Sequence, residues 1–330
     1  MNVGLKTQIL PAGEAAVAAA AHSLAAGGLV AFPTETVYGL GADATNAAAI
    51  ARLYQAKGRP SFNPLIAHVR DLAAARLVAR FEARAIALAE AFWPGPLTLV
   101  LPKTKNCAVA DLATAGLDSV AIRVPAHPLA RAILRAFGGP VVAPSANLSG
   151  HVSPTTAAHV QNDLTGRIDL IVDGGAVEVG VESTIVGCFD EPMLLRPGGV
   201  PRGEIERVLG RALVQPPEDA DNDTSQPLAP GMLASHYAPR TAVRLNASSV
   251  QPGEALLAFG PATVPGVDAA RSVMNLSARG DLNEAAANLF GYLRTLDTKG
   301  AHRIAVMPVP GHELGEAIND RLRRAAMARE

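Results

Sequence analysis

Short apolar runs recur along the chain, each closed by proline, glycine or a polar cluster. Between them lie longer stretches whose apolar positions return every three or four residues. The runs "LVAF", "PLIAHV", "LTLVL", "SVAIRVP", "PVVAPSA", "DLIVDGG" and "STIVGCF" suit buried strands. The stretches 46–56, 82–92, 127–137 and 154–163 suit helices, the last with Ser153 as N-cap and Pro154 at the first helical position. Residues 12–28 also have helical spacing and stop at Gly27-Gly28, before "LVAF". Strands alternating with helices predict an α/β fold built on an open sheet.

The pattern lapses at "QPPEDADNDTSQPLAPG", Gln215 to Gly231, where prolines, acids and small polar residues follow no period and predict a linker. Strand-like runs resume as "AVRLN", "EALLAFG", "RSVMNL" and "RIAVMPVP". In 281–297, Leu282, Ala285, Ala286, Leu289, Leu293 and Leu296 share a helical face, and Asp281 with Glu284 resembles a capping box. The expected division is a first domain at 1–210, a linker at 211–240 and a small α/β domain at 241–330.

Composition narrows the function classes. A chain of 330 residues that is 49% hydrophobic can bury the cores of two domains. With Lys+Arg 29 against Asp+Glu 30, no global field draws nucleic acid or anionic lipid, so any polyanion must be met locally. Cys107 and Cys188 stand far apart without a CxxC, which argues against a disulfide framework or zinc site and for a reducing compartment. The Ala-rich start contains Glu14 and His22, has no basic leading segment and is too short and polar for a membrane span, so a cytoplasmic location is expected.

No GxxxxGK[ST] occurs, and no GxGxxG follows a strand and opens a helix, so phosphate must be handled by other means. In "KGRPSFNPLIAHV", Lys57 and Arg59 stand two apart at a helix end. In an extended segment both would face one polyanion, with arginine offering a planar fork; the ordinary alternative is that they complement the helix C-terminus. In "VVAPSANLSGHVSPT", an apolar strand delivers Ser145 and Asn147 at its carboxyl end, where functional groups collect in open α/β sheets. No GxSxG surrounds Ser145, so hydrogen bonding suits it better than nucleophilic attack, and a plain turn suits it equally well. "VAFPTETVYGLGADA" sets Thr34, Glu35, Thr36 and Tyr38 at the end of a buried run, a polar cluster that needs a purpose.

Taken in order, "FPTETVYGLG", "KGRP", "NPL", "WPGPLTLVL", "SVAIRVP", "PSANLSG", "ESTIV" and "LRPGG" resemble the YrdC-like threonylcarbamoyl-AMP synthases, from about Leu29 to Gly199. "GMLASHYAPR", Gly231 to Arg240, is similar to the linker motif of their long, two-domain form. The resemblance implies a twisted α/β catalytic domain and a Rossmann-like second domain. It implies synthesis of threonylcarbamoyl-AMP from L-threonine, bicarbonate and ATP with Mg2+, releasing pyrophosphate. A downstream threonylcarbamoyl-transferase complex would pass the group to tRNA.

The resemblance also assigns residues. Lys57 and Arg59 would be catalytic through charge. Arg59, Asn63, Ser119, Ser145, Ser153, Arg196 and Tyr237 would bind the nucleotide, with Tyr237 folding back as part of a lid. Thr36, His68, Arg123, Ser183 and the Ala143 backbone would bind threonine, while Thr34, Glu35 and Tyr38 shape the pocket wall. Metal ligands stay unassigned. Two rival readings share the domain type: a double-stranded RNA or tRNA binding module, and the carbamoyl-transfer domain of hydrogenase maturation proteins. Trp93 reads as core, and the arginines of "RLRRAAMARE" read as ordinary cations in a helix's last turns.

Overall fold

A computed structural model describes residues 5–215 and 237–327. Most of the expected linker, including His236, lies outside the described residues. Among the described residues, two sheets organise the chain, one of ten strands and one of four.

The large sheet begins with β1 (Gln8–Pro11), which pairs in parallel with β8 (Leu170–Asp173). β2 (Val30–Pro33) and β3 (Tyr38–Asp43) form an antiparallel hairpin, and β3 runs against β7 (Val141–Val142). β4 (Ile66–His68) lies between β7 and β6 (Ser119–Arg123), with the register His68 to Arg123. β5 (Leu97–Pro102) then leads to β9 (Thr184–Cys188) and β10 (Pro192–Arg196).

Alternation along the strands buries both faces. Val30, Phe32, Leu170 and Val172 meet α1 (Glu14–Ala25) and α5 (Pro128–Phe137). Ala31 and Ile171 point the other way, into the core that also contains Ile50 and Leu53 of α2 (Ala47–Lys57) and Leu88 of α4 (Ala83–Phe92). Short α3 (Leu72–Val78), α6 (Ala157–Leu164) and α7 (Arg202–Leu209) complete this body. Trp93 is packed against that core, edge-on to Phe81.

In the small sheet, β11 (Ala242–Arg244), β14 (Arg303–Val306), β12 (Glu254–Ala258) and β13 (Val273–Asn275) pair in that order, all in parallel. α8 (Leu282–Asp297) and α9 (Leu314–Ala326) pack against it. Parallel pairing with helical cover suits β12, where four apolar residues follow Glu254 and all five are buried. The Asp281 side chain caps α8 by accepting from the amides of Asn283 and Glu284. Glu284 does not close the box; its carboxylate takes the Ser277 hydroxyl instead.

Some expectations change. The helix expected at 154–163 starts at Ala157, and Thr156 caps it by accepting from the His159 amide. Ser153 cannot serve there because its hydroxyl is committed to Glu182. The polar cluster after β2 leads into β3, a strand hidden in the sequence by glycines. β1 and β10 also form without an apolar run long enough to announce them. Lys57 and Arg59 do not lie on an extended segment: Gly58 between them is left-handed (φ 60°) and ends α2, so the side chains diverge.

The two bodies are docked. Val37, Val152 and Val181 of the first join the core of the second. Ion pairs Arg202 to Glu316, Arg294 to Asp163 and Arg321 to Glu182 cross the seam. Gly180 touches α8 so closely that a β-carbon there would lie 2.3 Å from the Ala286 carbonyl oxygen. Gly116 has nearly the same left-handed backbone (φ +76° against +77°) but faces open space. Gly116→Ala is therefore expected to cost about 1 kcal/mol of conformational strain. Gly180→Ala adds a steric clash worth about 1–3 kcal/mol more. Thermal unfolding of the two variants checks this: Gly180→Ala must melt several degrees below Gly116→Ala.

Candidate active site

The hairpin turn after β2 faces a cavity of about 560 Å³, its open mouth included. Thr34 organises the turn: its hydroxyl donates to the Val37 carbonyl at 2.7 Å and lies 2.8 Å from the Thr36 hydroxyl. Glu35, thrown outward between the two threonines, meets Arg123 of β6 at 2.5 Å in a buried ion pair. Its second oxygen accepts the amides of Ala126 and His127, at the entry to α5. Burial by itself raises the Glu35 pKa, but the Arg123 charge and these hydrogen bonds outweigh it and hold the carboxyl below its usual range. Tyr38 points away from the cavity and bonds the Gly175 carbonyl at 2.7 Å.

Arg123 is thereby aimed. Its Nη1 donates to the Thr36 hydroxyl at 2.9 Å and its Nε to the Gly95 carbonyl at 3.2 Å. Three of the five N–H donors of a guanidinium are thus used, leaving the rest for a ligand at the cavity. His68 stands beside Arg123 through the β4–β6 register. Burial, then the Arg123 charge, lowers its pKa to about 3, so the ring is neutral at physiological pH.

Two more guanidinium groups reach the cavity. Arg196 ends β10 just past a bulge at Leu194/Arg196, which re-aims it inward. Its Nη2 donates to the Ser183 carbonyl at 2.9 Å and to the Ser183 hydroxyl at 3.2 Å. Ser183 is held from the far side by the Thr98 hydroxyl at 2.7 Å. Close approach of "PGG" makes this possible: a β-carbon on Gly198 would lie 2.4 Å from the Glu182 carbonyl oxygen. Arg59 is almost fully buried, uses Nη2 on the Pro64 carbonyl at 3.2 Å, and has a buried Nε without a partner. It forms no ion pair with any acid among the described residues, and burial brings its pKa down to about 10.

The cavity wall unites Thr36, Arg59, His68, Arg123, Ala143, Ser145, Ser183, Arg196 and Tyr237 of the residues singled out in the sequence. Tyr237 is buried, stacked on Phe290 of α8 with ring centres 5.5 Å apart, under the Arg321 guanidinium of α9. Four of the residues assigned to catalysis or nucleotide binding are not on that wall. Lys57 is buried and its Nζ donates to the carbonyls of Ser145 and Asn147 at 2.5 and 2.6 Å, bracing the "PSAN" loop. Asn63 is buried with neither amide atom paired. Ser119 opens β6, at the strand end opposite Arg123. Ser153 is fully buried behind Glu182.

Sequence reasoning missed Glu182, which lines the cavity, and Arg321, which is wholly buried rather than a surface cation. The "ESTIV" motif contained the first; no local signal marked the second. Among the described residues, no cluster of three or more His, Cys, Asp or Glu could hold a metal. No helix among them is long and apolar enough to cross a membrane.

The lowered His68 pKa sets a pH dependence. The unfolded ring takes a proton near its usual value of about 6.5, whereas the native ring resists until about pH 3. Stability contributed by the neutral ring is therefore lost as the pH falls from about 6.5 toward about 3. His68→Gln is expected to lose less melting temperature than wild type between about pH 7 and about pH 4.5, in paired thermal melts.

Comparison with known proteins agrees with this architecture. Residues 22–198 match the family model of the Sua5, YciO and YrdC proteins, described as telomere recombination. Residues 200–327 match the model described as threonylcarbamoyl-AMP synthase, C-terminal domain. The threonylcarbamoyl-AMP synthase of Bacillus subtilis is 43% identical, over 98% of this chain and 96% of its own. That of Pyrococcus abyssi is 42% identical, over 93% of each. The crystal structure of P. abyssi Sua5 complexed with L-threonine superposes with a TM-score of 0.86 at 38% identity, covering 98% of this chain and 97% of that one. With both domain models and nearly its full length matched, the chain belongs to the threonylcarbamoyl-AMP synthase family.

Proposed function

We propose that this chain joins L-threonine, bicarbonate and ATP into L-threonylcarbamoyl-AMP and releases pyrophosphate. One observation carries the reading: three buried guanidinium groups, Arg59, Arg123 and Arg196, converge with Thr36 and Ser183 hydroxyls on one cavity that also holds a neutral His68. Buried cations favour an anionic ligand where no acid answers them, as at Arg59 among the described residues.

The chemistry needs no enzyme nucleophile. The threonine amine attacks the carbon of bicarbonate or CO2, forming a carbamate with loss of water or a proton. A carbamate oxygen then attacks the α-phosphate, and the bond to the leaving pyrophosphate breaks. The protein's task is alignment and charge neutralisation. In this reading the free donors of Arg123 take the threonine carboxylate, with Thr36 and Ser183 close by. Arg59 and Arg196 meet the phosphates, and Lys57 acts indirectly by bracing the Ser145 loop. Mg2+ enters with ATP as its counter-ion, since both oxygens of Glu182, the acid on the wall, are engaged by Ser153 and Arg321. The product then serves a separate transferase acting on tRNA. Tyr237 at the cavity edge shields the reactive anhydride from water.

Pyrophosphate release with ATP, Mg2+ and bicarbonate tests the reading. Release must depend on L-threonine. Serine, lacking one methyl group, is expected to be about 10–200-fold poorer in kcat/KM. Valine, which cannot satisfy a polar partner of the hydroxyl, is expected to be poorer by on the order of 10⁴-fold. Arg59→Ala is expected to lower the rate by about 10²–10³-fold. Release that ignores the amino acid would refute the proposal. A second expectation concerns Tyr237→Ala: the ratio of pyrophosphate released to threonylcarbamoyl-AMP recovered must rise, because the unshielded product hydrolyses. An unchanged ratio would remove the shielding role.

A further inference from the structure

Arg321 belongs to the second body yet ends behind the active-site wall of the first. Its side chain is completely inaccessible to solvent. Nε donates to Glu182 Oε2 at 2.9 Å, and Nη1 donates to the Pro197 carbonyl at 2.6 Å and to Asp320 Oδ2 at 2.8 Å. The guanidinium carbon lies 5.4 Å from the centre of the Tyr237 ring. Burial alone would disfavour the charge, but the surrounding groups, Glu182 and Asp320 among them, push its pKa above the usual value. Arg321 is a permanent cation.

Two carboxylates face this cation, and they are not equivalent. Asp320 is also paired with Arg324 Nε at 3.1 Å, one turn along α9. Glu182 receives the Arg321 guanidinium on one oxygen and the Ser153 hydroxyl on the other, and its charge also acts on Arg196 across the cavity wall. Glu182 also lines the cavity, immediately before Ser183, the residue that holds Arg196. A bare carboxylate there would repel phosphate and compete for Arg196. At an effective dielectric constant near 20, a like unit charge even about 12 Å away weakens anion binding about ten-fold, and a nearer one weakens it more.

We propose that Arg321 is a positioning residue for the reaction of the first body: it neutralises Glu182 on the cavity wall, so the second body supplies the counter-charge that lets the cavity accept a triphosphate. This rests on the nucleotide reading of the cavity. It gives the C-terminal domain an electrostatic part in the site, distinct from anchoring the linker. A purely structural peg would need the shape of Arg321 and its bond to Pro197, but not its charge opposite Glu182.

The test uses the full-length chain and four variants: Arg321→Met, Arg321→Lys, Glu182→Gln, and Arg321→Met with Glu182→Gln. ATP and inorganic pyrophosphate are titrated calorimetrically, and kcat and KM are taken from threonine-dependent pyrophosphate release. Arg321→Met is expected to raise the Kd of both anions and the KM for ATP about ten-fold or more, with kcat changed less than about three-fold. Arg321→Lys keeps the charge and is expected to lose no more than about three-fold. The decisive result is the double variant, in which removal of the stranded carboxylate returns ATP affinity to within about three-fold of wild type.

A double variant as weak as Arg321→Met, or an Arg321→Met protein that binds ATP like wild type, overturns the inference. Should Arg321→Met fail to fold, the double variant decides alone: affinity near wild type supports the proposal, and a ten-fold loss overturns it. The two readings fail separately. Wild-type protein without threonine-dependent release would sink the synthase reading, whereas pyrophosphate affinity that falls with Arg321→Met and recovers with Glu182→Gln would leave this inference standing.

Discussion

The buried ion pair between Glu35 and Arg123 is the constraint on which the site depends. It joins the β2–β3 turn to the end of β6, and through the amides of Ala126 and His127 it reaches the start of α5. Such a pair is seldom a net source of stability, because desolvating both charges opposes their attraction. Breaking it is another matter, since removing one partner of a buried pair costs about 3–5 kcal/mol. Its value is therefore geometric. The carboxylate holds the guanidinium in one orientation, Thr36 and Gly95 complete that hold, and two N–H donors remain.

Backbone carbonyls help to position the other cations in and beside the cavity. Lys57 is tied to Ser145 and Asn147, Arg59 to Pro64, and Arg196 to Ser183. Carbonyls orient a cation without cancelling its charge, so the field at the cavity stays positive. Glu182 is the exception, a full negative charge on the same wall, and the structure meets it with a cation from another body.

Much of this was legible in the sequence, for identifiable reasons. Strands buried on both faces read as unbroken apolar runs, so β2, β5, β6, β8, β9 and β12 stood out. β1 was not visible because it lies at a sheet edge and is largely exposed, and β3 because its glycines carry no pattern. The motif residues of the cavity could be named from resemblance. Their orientation could not: Lys57 turns away because Gly58 adopts a left-handed backbone, and Ser153 is drawn behind the wall by Glu182. Arg321 was out of reach altogether. Its partner Glu182 is 139 residues away, and nothing in "RLRRAAMARE" separates a buried arginine from exposed ones.

Tyr237 adds a point about the cavity wall. Its backbone is left-handed (φ 60°), a conformation that disfavours a residue with a bulky side chain by about 1–2 kcal/mol. Phe290 and Arg321, both on the second body, hold the ring in place against that bias. The partners of this strained tyrosine thus include two side chains of the second body, so the shape of the cavity wall at Tyr237 depends on how the two bodies are docked.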